Sequence, residues 1–115
     1  ESFFRSLEEK TVLDALQNKK SIISLGGGAF LNDKIRKEII TNHVSFWLNW
    51  NSNTLLNRIR KSTKRPIANK MNNKEIIDLI FKRKKVYSKA KFKINCDKLS
   101  KQQILIKIQK AYEAI

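Results

Sequence analysis

All three glycines of the chain fall in one run, Gly26 to Gly28, directly behind the short apolar stretch Ser21 to Leu25. A buried strand that stops at a tight loop reads this way. Everywhere else the backbone is built from residues that favour ordinary helical or extended dihedrals, and Pro66 is the single proline. The chain therefore has long stretches suited to regular structure and one place where backbone amides stand unshielded by side chains.

Apolar spacing fills in the rest. Glu1 to Gln17 reads as a helix with Phe4, Leu7, Leu13 and Leu16 roughly on one face, ended by Asn18 to Lys20. Asp33 to Thr41 is a short helix with Ile35 and Ile39 inward, and Val44 to Asn49 a strand with Val44, Phe46 and Leu48 on one face. Asn51 or Ser52 caps a helix carrying Leu55, Leu56 and Ile59. Arg60 to Asn73 leaves almost nothing to bury and is expected to be a mobile surface loop. A helical period returns over Lys74 to Lys89 through Ile76, Ile80, Arg83 and Tyr87, and Lys91 to Cys96 alternates as a strand. Ser100 and Gln103 form a capping box before a closing helix with Ile104, Ile108, Ala111 and Ile115 inward. Strands alternating with helices predict a parallel α/β sheet, with residues 1–115 as one domain. Three strands are few for a doubly wound sheet, and a chain that starts on a helix has a strand owing.

The charge sum is +15, from 25 Lys and Arg against 10 Asp and Glu. Such a charge attracts anions in general. However, the 19 lysines outnumber the 6 arginines and are spread along a chain rich in Ile and Asn. Composition and solvated faces account for most of them, so neither a nucleic-acid nor a membrane partner is expected. No apolar run approaches the ~18 residues of a membrane-spanning helix. The lone Cys96 makes neither an internal disulfide nor a thiolate metal cage, and it packs as a small apolar residue in its strand. A reducing, cytoplasmic setting fits. His43 reads as structural, because no second histidine or cysteine stands at metal-ligand spacing. Trp47 and Trp50 read as core or rim rather than as a stacking platform for bases.

Four short motifs surround the glycines. Phe4, Arg5 and Glu8 make F-R-x-x-E; Leu25 to Ala29 make L-G-G-G-A; Arg65 and Pro66 make R-P; Arg83 and Tyr87 make R-x-x-x-Y. Arginines suit a planar carboxylate, because a guanidinium fork makes two parallel charge-assisted hydrogen bonds where an ammonium offers a point charge. Glu8, one turn after Arg5, can hold that guanidinium in position. In a chain so rich in lysine, arginine at these positions is mildly informative.

The ordered set is similar to the carboxyl-terminal two thirds of shikimate kinase, a P-loop relative of the nucleoside monophosphate kinases. The resemblance implies a partial doubly wound parallel sheet of the P-loop kinase type: three strands flanked by helices, with the central P-loop strand missing. It implies transfer of the γ-phosphoryl of Mg·ATP to the 3-hydroxyl of shikimate, toward chorismate and the aromatic amino acids. On this resemblance Arg5 and Arg83 hold the substrate carboxylate. Gly27 offers its backbone to a ring hydroxyl, with Gly26 and Gly28 beside it. Arg65, in a lid over Arg60 to Asn73, reaches the ATP phosphates. Arg58 lines the adenine pocket with Arg60 as competitor, and Lys98 and Lys101 are candidates for later adenine contacts.

The chain contains no G-x-x-x-x-G-K-[ST]. The phosphate cradle, the Mg²⁺ ligands and the aspartates that assist catalysis are therefore expected upstream, and these 115 residues to be an inactive fragment of an enzyme that is monomeric when complete. A noncatalytic shikimate-binding descendant and a basic nucleic-acid-binding module are the alternatives.

Overall fold

The computed structural model describes residues 2–18, 20–62 and 70–115. It comprises two compact units, residues 1–45 and 46–115.

In the first unit, α1 (Ser2–Ala15) leads through irregular backbone to a 3-10 turn at Ala29–Leu31 and then α2 (Asp33–Asn42). Asn32 starts α2 by accepting from the amides of Lys34 and Ile35, which satisfies two amides that have no partner within the helix. The core is Leu16, Ala29, Phe30, Ile35 and Ile39. The inward pair Ile35 and Ile39 is as expected, but the α1 face is not: Phe4 and Leu7 are more than half exposed, and only Leu16, just past the helix end, is buried.

Ser21 to Leu25 departs from the expected strand. It is irregular backbone, and Ile22 is fully exposed. A strand is held by its neighbour's hydrogen bonds, and among the described residues this segment has no ladder partner. The described sheet therefore has two strands rather than three.

In the second unit, β1 (Phe46–Asn49) continues into α3 (Ser52–Lys61), α4 (Asn73–Tyr87), β2 (Phe92–Asn95) and α5 (Lys101–Glu113). The strands pair in parallel, with Phe46 opposite Phe92 and Asn49 opposite Asn95. Parallel pairing requires a crossover, which the helices α3 and α4 supply. Ile94, Cys96 and Ile104 form the core with Phe46, Trp50, Leu99 and Ile108 packed on it, and Phe46 stacks on Phe92 at 5.2 Å. Val44 lies outside β1 and is exposed, as are Leu48 and the terminal Ile115.

Capping explains the helix starts. Asn51 rather than Ser52 caps α3, and both Asn72–Glu75 and Ser100–Gln103 are complete capping boxes. Each cap contributes about 1 kcal/mol. α3 runs through Arg60 to Lys61, so the expected loop begins two residues later, and α4 starts at Asn73. Residues 63–69, with Arg65 and Pro66, lie outside the described residues.

Candidate active site

The first unit brings Arg5, Glu8, Gly26 and Gly28 together. Arg5 and Glu8 sit one turn apart on α1, and Arg5 Nη1 donates to Glu8 Oε1 at 3.0 Å. Glu8 is mostly covered, at 18% side-chain exposure, while Arg5 keeps 48%. The carboxylate thus anchors a guanidinium whose side chain stays about half exposed. A Cβ on Gly28 would lie 2.6 Å from Arg5 Nη1, and one on Gly26 would lie 3.8 Å from Glu8 Oε2. No glycine has positive φ, so Gly28 is required by the close approach of Arg5 and not by an unusual dihedral. The Gly26 carbonyl accepts from the Ala29 amide, and the Gly28 carbonyl from the Leu31 amide, turning the chain toward α2.

Glu9, next to Glu8, does different work. Its Oε2 accepts from the Asn32 side chain at 2.9 Å, and its Oε1 lies 3.6 Å from Lys34 Nζ. Through that link α1 is fastened to the residue that caps α2, which keeps Arg5 over the glycine turn. The sequence singled out Glu8 by its spacing from Arg5. Nothing in it marked Glu9, whose partners are 23 and 25 positions away.

Arg58 and Arg83 belong to the second unit, on α3 and α4. The Arg83 Nε is buried with no hydrogen-bond partner among the described residues. A buried donor left unmatched costs about 1–3 kcal/mol, which a ligand oxygen would offset. Tyr87, one turn on, packs against Trp47 with ring centroids 6.2 Å apart.

Arg58 and its competitor Arg60 separate clearly. The Arg58 guanidinium lies over the Trp50 ring, 4.6 Å from the centroid. Arg60 instead donates from Nε to Asn73 Oδ1 at 2.9 Å and from Nη2 to the Met71 carbonyl, joining the end of α3 to the start of α4. Of the other candidates, Lys98 has a left-handed φ of 63° in the turn after β2, and Lys101 is the exposed first residue of α5.

Trp50 has a part that sequence reasoning missed. It packs on the core as expected, but it also underlies Arg58, and its carbonyl accepts from Lys84 Nζ at 2.8 Å. Lys84 and Trp50 are 34 positions apart, so spacing carried no signal. His43 ends α2, with Nε2 3.1 Å from Glu38 Oε2. Burial raises the Cys96 thiol pKa, so it stays protonated and inert.

Among the described residues no three His, Cys, Asp or Glu side chains gather to hold a metal. No described helix is long and apolar enough to cross a membrane.

The shikimate kinase family model matches residues 1–113. Shikimate kinase of Bartonella henselae is 35% identical over 105 residues, 90% of this chain and 50% of that protein. The Thermodesulfovibrio yellowstonii shikimate kinase is 34% identical over 116 residues, 100% of this chain and 67% of that protein. The crystal structure of shikimate kinase from Bacteroides thetaiotaomicron superposes with a TM-score of 0.76 at 28% identity, covering 99% of this chain and 68% of that one. The chain spans about half the length of the first of these curated relatives and two thirds of the second. The fold is accordingly α/β of the P-loop kinase type, and the chain belongs to the shikimate kinase family.

Proposed function

We propose that this chain supplies the carboxylate grip, the lid and part of the nucleotide pocket of a shikimate kinase, which moves the γ-phosphoryl of ATP to the 3-hydroxyl of shikimate. The observation that carries the reading is Arg5, bonded to Glu8 and occupying the space that a side chain on Gly28 would take. A guanidinium held in position by a neighbouring carboxylate is already oriented when a substrate carboxylate arrives, so less ordering is needed on binding. Arg83, with its buried unmatched Nε, is the second fork. Such a grip serves to orient the ring, and orientation is what a phosphoryl transfer asks of the acceptor hydroxyl. The glycine turn adds backbone donors close to the ring, with Gly27 at its centre and Gly26 and Gly28 on either side.

Arg58 lies on the nucleotide side, and Arg65 of the lid meets the charge on the transferring phosphoryl group. Mg²⁺ would shield the ATP phosphates, held by residues other than these. Residues 1–115 serve as one functional piece, with the lid between the end of α3 at Lys61 and the start of α4 at Asn73. The complete enzyme acts as a cytoplasmic monomer.

The test is steady-state kinetics of the full-length protein with Arg5→Lys. Charge is retained and the fork is lost, so shikimate KM should rise about tenfold while ATP KM stays within twofold. An unchanged shikimate KM would remove Arg5 from the substrate site.

A further inference from the structure

Three elements converge on Trp50, the residue that follows β1. Its ring packs against the core of Ile94, Cys96 and Ile104. The Arg58 guanidinium of α3 lies over that ring at 4.6 Å, and Lys84 of α4 donates to its backbone carbonyl at 2.8 Å. An arginine on a helix surface ordinarily samples many rotamers, so ordering it on ligand binding costs free energy. Held 4.6 Å over a ring that packs on the core, the Arg58 guanidinium has its place chosen beforehand. Arg58 is exposed, so a planar ligand group can reach it.

We infer that Trp50 is a positioning residue for the nucleotide: it holds the Arg58 guanidinium in place so that this exposed group can meet a purine ring. Lys84 ties the Trp50 backbone to α4, which steadies the ring from a second helix. Arg60 cannot substitute, because its guanidinium is spent on Met71 and Asn73. The inference rests on the reading that Arg58 faces the nucleotide.

The experiment is a double-mutant cycle on the full-length protein, with Mg·ADP and shikimate binding measured separately by calorimetry. Arg58→Ala should weaken Mg·ADP about tenfold and Trp50→Leu about fivefold. The double variant should be no weaker than Arg58→Ala alone, with shikimate affinity within twofold throughout. Trp50→Phe, which keeps an aromatic face, should restore most of the nucleotide affinity. Lys84→Met leaves the core untouched and covers the case in which Trp50→Leu does not fold. It should weaken Mg·ADP about threefold, and only when Arg58 is present.

Additive losses, or a loss of shikimate affinity as large as that of Mg·ADP, would overturn the positioning role and leave Trp50 a core residue. If Arg58→Ala alone leaves Mg·ADP affinity unchanged, the nucleotide reading of Arg58 fails, and the inference falls with it.

Discussion

The Nη1 of Arg5 stands 2.6 Å from where a Cβ on Gly28 would be. The Gly28 dihedrals, φ −92° and ψ −15°, are ordinary for any residue. Gly28→Ala should therefore leave the backbone unstrained and displace the guanidinium alone. Shikimate KM should rise about fivefold or more, with Tm shifting by less than about 3 °C. A large loss of Tm with unchanged KM would show the glycine to be needed for folding instead.

Glu8 and Glu9 should separate in the same way. Glu8→Gln weakens the hold on Arg5, so shikimate KM rises severalfold at nearly constant stability. Glu9→Ala removes the acceptor of the Asn32 side chain. It should cost about 1 kcal/mol in denaturant unfolding and change KM little. The reverse pattern would exchange their assignments.

Cys96 gives a pH prediction. Its thiol pKa is raised by burial, so the folded state holds the proton more tightly than the unfolded chain does. The stability this contributes is complete below the unfolded thiol pKa of about 8.5 and is lost as pH rises toward the folded value. Cys96→Ala should flatten that alkaline decline in urea unfolding, and the native thiol should resist alkylation at pH 7. Rapid labelling of folded protein would contradict the burial.

Arg65 tests the lid. In the full-length protein Arg65→Ala should lower kcat by about 10² or more, as removal of an electrostatic stabiliser does, with shikimate affinity in the absence of nucleotide unchanged. An unchanged kcat would make the segment a plain surface loop. These 115 residues alone, which contain no phosphate-cradle motif, should show no turnover.

The helices were legible because their signals are local. Ser100–Gln103 announces a helix start within four residues, and Ile35 with Ile39, or Ile76 with Ile80, fix the inward face by spacing alone. Ser21 to Leu25 misled because an apolar run says that a segment can be buried, not that a neighbour is there to pair with it. The same limit applies to Phe4 and Leu7, which have the right period and lie exposed. In the candidate site, Glu8 followed from the pitch of a helix. The choice of Arg58 over Arg60 for the Trp50 ring, the bond from Lys84 and the Glu9–Asn32 link all depend on chain packing that no local pattern encodes.

The most direct test of the central claim compares shikimate with its methyl ester, which keeps the ring and hydroxyls but removes the carboxylate charge. The full-length wild type should prefer shikimate by two orders of magnitude or more in kcat/KM, on the scale of a charge-assisted pair left unmade. In the Arg5→Lys, Arg83→Lys double variant, that preference should shrink to about tenfold or less. A double variant that discriminates as well as wild type would contradict the assignment of the carboxylate to these two arginines.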